Sequence, residues 1–315
     1  MATRLRVMSY NVRYFGHALR GLASTQRSKL GIARGIASLE APPDVICLQE
    51  VETISLRATV AATRKRAGET QLETFMDALE QAWGSGSMPY EALHFRAHTY
   101  GPARWPVYTT GLAVLVNTRA MRIDAHNAHA PEAITHHVAQ LRGLKQSRIC
   151  AHVRLRPRDG DEAIHVFNTH LSLPSIFAQE FWDDAAKMGR GPNQLAESRS
   201  LARFVREGAG EEPFVVVGDF NSAPATPVYQ RLVEEEGWRC AQADTRLIDP
   251  ARRDGFATAG FMRLRMHLDH VFGGNGVRFE DMEGTAHFDD RSSPFYGLSD
   301  HAPLLARLAA SRAAT

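Results

Sequence analysis

Six short polar segments recur along this chain in a fixed order, and apolar residues lead into most of them. A short continuous apolar run is typical of a buried strand, so each segment is predicted to end a strand. Strands that finish side by side would bring one Glu, three Asp, three Asn and three His to one rim of a sheet. The segments are SYN (9–11), LQE (48–50), NTHL (168–171), GDFN (218–221), LDHV (268–271) and SDH (299–301). Such a concentration of ionisable groups indicates a site that carries chemistry.

The composition bounds the size and class of the protein. The chain has 315 residues, of which 44% are hydrophobic, and this is sufficient for one large buried core. Because the sequence has no exact repeat, low-complexity stretch or linker, we predict a single domain over residues 1–315 with a frayed tail at 309–315. The formal net charge of +2 excludes a strongly basic field, the feature that by itself would indicate nucleic-acid binding.

The cysteines and the hydropathy pattern indicate the cellular compartment. Cys47, Cys150 and Cys240 lie far apart without CxxC spacing, which argues against a disulfide framework or a zinc cluster. The sequence has no apolar stretch of signal-peptide length at its start and no run long enough to span a membrane. We therefore expect reduced thiols and a cytoplasmic location.

Strands and helices alternate in a pattern that favours two similar halves. Two stacked sheets with helices outside would place the acidic strand ends of both halves at one edge. The predicted strands are residues 4–12, 44–50, 90–96, 111–117, 121–125, 148–156, 163–168, 213–219, 266–272 and 302–308, and the predicted helices are 24–40, 70–83, 193–207 and 226–236.

The oxygen donors of the six segments indicate a hard cation. The carboxylates of Glu50 and Asp300, with the amide oxygen of Asn11, suit Mg²⁺, with Mn²⁺ as a substitute. Zinc would require more His or Cys ligands at close spacing. His267 and His270 are three residues apart and would point to opposite faces of a strand.

The histidines of these segments suit acid–base chemistry. His301 needs a carboxylate to fix its tautomer, and Asp269 is the candidate, so that His301 could deprotonate a water. His170, as an imidazolium or a hydrogen-bond donor, could stabilise charge on a pentavalent phosphorus. Asp219 and Asn221 share one face if their strand persists, and could position the attacking water and a phosphoryl oxygen.

Taken together, these segments resemble the motifs of the endonuclease/exonuclease/phosphatase superfamily, from Tyr10 to about Leu308. That group includes DNase I-like nucleases, exonuclease III-like repair enzymes, neutral sphingomyelinases and inositol polyphosphate 5-phosphatases. The resemblance implies a four-layer α/β sandwich of two mixed sheets packed face to face, and Mg²⁺-dependent hydrolysis of a phosphate ester. It also implies the roles that these residues have in the family: metal binding by Asn11, Glu50 and Asp300, and catalysis by His170, Asp219, Asn221, Asp269 and His301.

Two features of the family have no clear match in this sequence. DNase I-like members have a second carboxylate that supports the first histidine, and neither Glu91 nor Glu132 has a motif around it. The tyrosine-containing motif of the exonuclease III-like repair enzymes has no clear counterpart either, which argues against an abasic-site endonuclease.

The substrate is predicted to be chosen by loops over the site, at residues 98–110, 127–147, 172–192 and 252–265. The apolar residues of 172–192 could stack on bases, contact lipid, or pack a short helix onto the body of the protein. Three hypotheses stay open: a Mg²⁺-dependent phosphodiesterase that includes nucleases, a phospholipid phosphodiesterase or small-molecule phosphatase, and a non-catalytic binding protein. Nucleic acid and phospholipid are both candidate substrates, and no feature indicates a protein partner.

Overall fold

A computed structural model describes residues 2–16, 25–52, 70–84, 86–100, 108–136, 147–173, 188–252, 255–261 and 264–312. Most of the aromatic segment at 98–110, the basic stretch 137–146 and the apolar stretch 174–187 lie outside the described residues or have no described side chains. The strands are β1 (Thr3–Asn11), β2 (Val45–Gln49), β3 (Tyr90–Tyr100), β4 (Tyr108–Asn117), β5 (Met121–His126), β6 (Glu132–Ala133), β7 (Ile149–Pro157), β8 (Ile164–His170), β9 (Phe214–Asp219), β10 (Arg239–Cys240), β11 (Ala259–Phe261), β12 (Leu264–Met266), β13 (Asp269–Gly274), β14 (Val277–Asp281) and β15 (Leu304–Ala310).

The strands form two large mixed sheets. Among the described residues, sheet A has the order β14-β15-β1-β2-β4-β3, and sheet B has the order β10-β13-β9-β8-β7-β5, with β6 beside β7. In sheet A the β1–β2 pair is parallel and the pairs on either side of it are antiparallel. In sheet B the β8–β9 pair is parallel and is likewise flanked by antiparallel pairs. Each sheet therefore contains one parallel pair between antiparallel pairs, although sheet A takes β14 and β15 from the second half of the sequence.

Helices cover the outer faces of both sheets. They are α1 (Gln26–Ala37), α2 (Gln71–Trp83), α3 (Pro192–Ala209), α4 (Pro227–Gln230) and α5 (Ala241–Asp244). Helix α2 begins with a capping box, in which the Thr70 side chain accepts from the Glu73 N–H and the Glu73 carboxylate accepts from the Thr70 N–H. Helix α3 begins at a proline, whose missing N–H costs nothing in the first turn. None of the described helices is both long and apolar enough to cross a bilayer.

Alternation along the strands divides the apolar residues into layers. In β1, Leu5 and Val7 face the other sheet, whereas Met8 and Tyr10 pack on the side of α1 and α2. On the far side of sheet B, Phe167 packs with Leu201 and other residues of α3. The order helix, sheet, sheet, helix is the predicted four-layer α/β sandwich, and its central core lies between the sheets.

Several predicted boundaries need correction. The segment 226–236 is an α turn over Pro227–Gln230 followed by a π turn over Arg231–Glu235, rather than one regular helix. Strand β15 extends to Ala310, so the predicted frayed tail is wrong at 309 and 310, where pairing with β1 continues.

Candidate active site

One end of the layer between the sheets is polar. In β1 the inward-facing row runs Val7, Ser9, Asn11, and in β9 it runs Val215, Val217, Asp219, so each row changes from apolar to polar over its last positions. Strands β2 and β8 repeat this change, with Gln49 and His170 at their inward-facing ends. We call this end of the sandwich the rim. The predicted site residues collect here because the apolar rows of both sheets stop at the same level.

Two of the six segments reach the rim differently from the prediction. LDHV does not end a strand, because β13 begins at Asp269, and SDH precedes β15, which begins at Leu304. Both strands are antiparallel to their neighbours, with Asp269 opposite Asp219 and Leu304 opposite Ser9. The start of an antiparallel strand lies beside the end of its partner, so these segments arrive at the same rim.

A hydrogen-bonded bridge joins the two sheets below the rim. The amide of Gln49 donates to Asn168 Oδ1 at 2.8 Å and to Ser9 Oγ at 3.2 Å. Asn168 in turn donates to the backbone oxygens of Leu48 and Ala113. These buried side chains fix the end of β2 against the end of β8, because a buried amide that loses its partner is costly.

Glu50 follows β2 with a positive φ of 57°. Alternation after the inward-facing Gln49 would turn Glu50 away from the other sheet, and the left-handed conformation redirects it. Its Oε1 lies 3.3 Å from Asn11 Nδ2, and that same nitrogen donates to Asp219 Oδ2 at 3.1 Å. Asn11 Oδ1 accepts from the Arg13 N–H at 3.0 Å. Asn11 thus presents its nitrogen to the carboxylates, and coordination through its oxygen requires the amide to turn over.

Asp300 comes to the rim from the far end of the sequence. The preceding Ser299 donates its hydroxyl to the backbone oxygen of Asn11 at 2.6 Å. The Asp300 carboxylate forms an ion pair with Arg13, with 2.5 Å between Oδ2 and Nη1. Burial raises the pKa of Glu50, and the charge on Asp300 raises it further, so the two carboxylates interact.

Asp269 and His301 form the predicted dyad, with 2.8 Å between Asp269 Oδ2 and His301 Nδ1. This contact fixes the tautomer in which Nδ1–H donates to the carboxylate, and leaves Nε2 directed at Asp219 Oδ2 at 3.6 Å. Burial alone would lower the pKa of His301, but the charges of Asp269, Asp219 and Asp300 raise it well above its ordinary value. The carboxylates therefore favour the imidazolium at neutral pH.

Asp219 is surrounded by other site residues. It is buried, it lies directly opposite Asp269 in the β9–β13 pair, and like charges in that position repel. Burial is the main cause that raises the pKa of Asp219, and Asp269 raises it further. The carboxylate is retained through hydrogen bonds from Asn11 Nδ2 and from the Asn221 N–H, the latter at 2.9 Å.

His170 lies at the end of β8, with its Nε2 3.4 Å from Asp219 Oδ2. Burial lowers the pKa of His170 well below its ordinary value, and the nearby charges of Arg148 and His301 lower it further. His170 is therefore a neutral hydrogen-bonding group rather than an imidazolium. Among the described residues, neither Glu91 nor Glu132 hydrogen-bonds to it; they lie in β3 opposite Val116 and in β6 opposite Cys150.

Asn221 does not continue the strand, so it does not share a strand face with Asp219. Strand β9 ends at Asp219, and Asn221 has a positive φ of 47°. Its Nδ2 donates to the backbone oxygen of Leu171 at 2.9 Å, which ties the GDFN turn to the NTHL segment. Gly218 is required for packing, since a Cβ there would lie 2.0 Å from the backbone oxygen of Thr169.

Two arginines of the site were missed by sequence reasoning. Arg148 is 6% exposed and lines a cleft with Glu50 and His170, and within the described part of the chain its Nε has no hydrogen-bond partner. Arg148 immediately precedes β7, whose Cys150 lies opposite Thr169 near the end of β8. Neither arginine ends a predicted strand, but Arg148 begins the predicted strand 148–156, and a charged residue at that position was a usable signal.

The donor set of the rim suits a divalent cation. Glu50 and Asp300 bring carboxylate oxygens to the rim, and Asp219 is bridged to Glu50 by the Asn11 amide. Both Glu50 and Asp219 have raised pKa values, so their negative charge is incompletely balanced by the protein itself. A second grouping within the described residues, Asp219, Asp269 and His301, also has ligand atoms within 4.8 Å of one another. The direct hydrogen bond between Asp269 and His301 suits a proton-handling dyad better than two metal ligands.

Comparison with known proteins agrees with the fold. The model of the endonuclease/exonuclease/phosphatase family matches residues 8–301, and the chain belongs to this family. Members of the family hydrolyse phosphate esters and generally depend on a divalent metal. The sequence resemblance is therefore confirmed over nearly the whole chain.

Individual relatives are distant in sequence. Nocturnin of Drosophila melanogaster is 23% identical over 195 residues, which cover 62% of this chain and 24% of that protein. The match thus spans about a quarter of the length of this curated relative. The human Nocturnin catalytic domain with bound sulfate has a TM-score of 0.61 at 16% identity, covering 98% of this chain and 95% of that one. ANGEL2, a 2′,3′-cyclic phosphatase, has a TM-score of 0.64 at 17% identity, with the same two coverages of 98% and 95%. These likenesses show the shared fold.

Proposed function

We propose that the protein is a Mg²⁺-dependent phosphodiesterase that works at the rim, with His301 as the general base. The observation that carries this proposal is the dyad, in which Asp269 holds His301 Nδ1 at 2.8 Å and leaves Nε2 facing the other site residues. A histidine oriented in this way can take a proton from an attacking water. Asp219, 3.6 Å from Nε2, would help to position that water.

His170 and Arg148 would act on the phosphoryl group. His170 is neutral, so its role is to donate a hydrogen bond to an oxygen on which charge develops. Arg148 brings a buried guanidinium with an unpartnered Nε to the same cleft, and a guanidinium suits phosphate oxygens. Asn221 would hold the two segments in place through its bond to Leu171.

Glu50 and Asp300 would hold the cation, with Asn11 beside them. The bound cation would supply positive charge next to the reacting phosphate and the carboxylates. The proton balance of the site supports this arrangement. The carboxylates raise the pKa of His301, and a general base must be unprotonated, so His301 requires additional positive charge nearby to act at neutral pH.

The alternative substrates are phospholipids, as in sphingomyelinases, and soluble phosphate monoesters. The apolar segment 174–187, which the sequence predicts to take part in substrate selection, lies outside the described residues. The rim itself favours catalysis over a binding protein that uses the same scaffold, because every proposed catalytic position carries an ionisable or amide side chain.

The test is hydrolysis of a substrate panel by the wild type and by His301→Ala, each with Mg²⁺ or with EDTA. The panel contains supercoiled plasmid, bis-p-nitrophenyl phosphate, p-nitrophenyl phosphate and sphingomyelin vesicles. We expect Mg²⁺-dependent cleavage of a diester by the wild type and loss of at least about 10³-fold in the variant. Cleavage of the plasmid identifies a nuclease, and cleavage of sphingomyelin alone identifies the lipid alternative.

Three results would contradict the proposal. Equal activity of wild type and His301→Ala would remove His301 as the base, and full activity in EDTA would remove the metal. Exclusive hydrolysis of the monoester would replace the phosphodiesterase with a phosphatase.

A further inference from the structure

Arg13 has no part in the reaction proposed above, although it contacts a residue assigned to the metal site. Its Nη1 lies 2.5 Å from Asp300 Oδ2. We propose that Arg13 is an internal counter-cation that competes with the divalent metal for Asp300 and thereby lowers the affinity of the site for the metal. This inference rests on the proposed function, since it takes Glu50 and Asp300 as metal ligands.

The backbone holds Arg13 against the site. Arg13, Tyr14 and Phe15 form a short turn with positive φ values of 43°, 55° and 52°. Non-glycine residues in this conformation are strained, and consecutive ones persist only where surrounding contacts fix them. The fixing contacts come from the site: the Arg13 N–H donates to Asn11 Oδ1 at 3.0 Å, and the Tyr14 N–H donates to the backbone oxygen of Glu50 at 3.0 Å.

The pair with Asp300 is partly shielded from water. The side chains of Arg13 and Asp300 are 23% and 18% exposed, so solvent screens their attraction less than it screens a pair on the open surface. Asp300 is also held near Glu50, because the adjacent Ser299 binds the backbone oxygen of Asn11 at 2.6 Å and the Asn11 amide lies 3.3 Å from Glu50 Oε1. Arg13 therefore neutralises one member of a pair of carboxylates that would otherwise repel each other.

Arg13 could instead orient Asp300 for the metal. Removal of an orienting residue would weaken metal binding, whereas removal of a competing cation would tighten it. Asp300 pairs with Arg13 through Oδ2, whereas its Oδ1 lies 3.5 Å from Ser299 Oγ, so a cation could approach Oδ1 while Oδ2 remains paired. Loss of orientation frees one short side chain, which is a small entropic effect. Repulsion between a guanidinium and a dication that share one carboxylate is larger. Competition therefore dominates, and removal of the guanidinium should tighten metal binding.

The experiment is calorimetric titration of the metal-free full chain with Mn²⁺ at constant pH and ionic strength. Arg13→Met removes the charge at similar length, and Arg13→Lys is the matched control that keeps it. We expect Arg13→Met to bind Mn²⁺ about tenfold more tightly than wild type, equivalent to about 1.4 kcal/mol, and Arg13→Lys to bind within about threefold of wild type. In an Asp300→Asn background, Arg13→Met should change the affinity by less than about threefold.

Thermal unfolding gives a second measure that is independent of calorimetry. In EDTA, Arg13→Met should unfold at a lower temperature than wild type, because Asp300 and Glu50 lose their counter-cation. Saturating Mn²⁺ should then raise the unfolding temperature of the variant more than that of the wild type. Unchanged or weaker Mn²⁺ binding by Arg13→Met, with normal binding by the wild type, would overturn the inference alone. Absence of Mn²⁺ binding by the wild type would overturn the proposed metal site and this inference together.

Discussion

Two clusters of ionisable side chains in this protein differ in how their charges are balanced. The first is the rim, where Asp219 faces Asp269 and the pKa values of Glu50 and Asp219 are raised. The second lies on the outer face of sheet B, and we call it the outer network. In that network each carboxylate is held by at least one guanidinium. Its members are Asp124, His152, Arg154, Arg156, His165 and Glu212.

The outer network is a continuous series of matched donors and acceptors. Arg154 binds both oxygens of Glu212 at 2.9 Å and reaches Asp124 at 2.8 Å. Glu212 also accepts from His165 Nε2 at 2.7 Å, and His165 Nδ1 accepts from His152 Nε2 at 2.8 Å. The hydrogen bonds from Arg154 are the main cause that lowers the pKa of Glu212 to about 2. Here the pairing favours the charged form, whereas at the rim burial and like charges oppose it.

The same residue types therefore have a structural role in the outer network and a chemical role at the rim. A network with matched charges stabilises the fold and leaves no charge for a ligand. A rim with excess negative charge lowers the stability of the metal-free protein but offers binding energy to a cation.

The largest effect is expected at the dyad. Asp269→Asn should lower kcat about 10³-fold, because the amide no longer fixes the tautomer of His301. The same change removes one of two facing carboxylates, so the metal-free protein should be at least as stable as wild type. Steady-state kinetics on a diester, with urea unfolding of the same samples, would check both outcomes. A loss of only a few-fold in kcat would show that Asp269 does not orient the base.

The second prediction concerns the cost of charge at the rim. Glu50→Gln should remove most activity yet raise the free energy of unfolding in EDTA at pH 7.5, by on the order of 1 kcal/mol as for many single substitutions, because burial and the charge on Asp300 oppose the ionised carboxylate. The folded pKa of Glu50 is raised, so folding opposes its charged form, and the gain should vanish at low pH where Glu50 is protonated. Denaturant unfolding at both pH values measures this. A variant less stable than wild type at pH 7.5 would contradict the contrast between the clusters.

The third prediction applies the matched substitution to the outer network. Glu212→Gln should lower the free energy of unfolding by about 1 kcal/mol, a modest value because solvent screens this partly exposed pair. Diester hydrolysis should stay within about twofold of wild type, since the network lies on the face of sheet B opposite the inter-sheet layer. The central expectation is that Glu50→Gln raises and Glu212→Gln lowers the free energy of unfolding. A change in the same direction for both variants would show that the rim and the outer network do not differ in charge balance.

The smallest expected effect is on the slope of the free energy of unfolding against pH. Burial is the main cause that lowers the pKa of His152 from 6.5 to about 4, and His165 and Arg154 lower it further. The unfolded chain therefore takes up a proton that the folded state does not, and stability falls as the pH drops from 6.5 towards 4. His152→Gln should reduce this slope by up to about one proton. An unchanged slope in unfolding experiments across that pH range would exclude His152 from the acid response.

The sequence predicted those parts of the site that depend on local pattern. A buried apolar run followed by a polar residue located Asn11, Gln49, His170 and Asp219, because alternation carries the polar residue to the inner face. The fold class followed from the order of strands and helices and from the family motifs.

Other parts depend on long-range geometry that the pattern does not encode. Asp269 is the first residue of β13 and Asp300 precedes β15, and only the antiparallel pairing of these strands brings the two residues to the rim. Arg13 reaches Asp300 through a left-handed turn. The sequence does not predict this backbone conformation, because arginine rarely adopts it. The outer network joins Arg154 to Glu212 across 58 positions, which no local periodicity predicts.

The pairing of the first strand with the last has a consequence for how the protein is made. Strand β1 lies between β2 and β15, and the hydroxyl of Ser299 binds the backbone of Asn11 across 288 positions. During synthesis, the residues proposed for the metal site thus meet only after the 288 positions between Asn11 and Ser299 have been made. Until then the nascent polypeptide lacks Asp300, one of the proposed cation ligands, and the edge of β1 that pairs with β15 is unpaired. An unpaired strand edge favours association with other chains, so the nascent polypeptide is prone to associate until β15 pairs with β1.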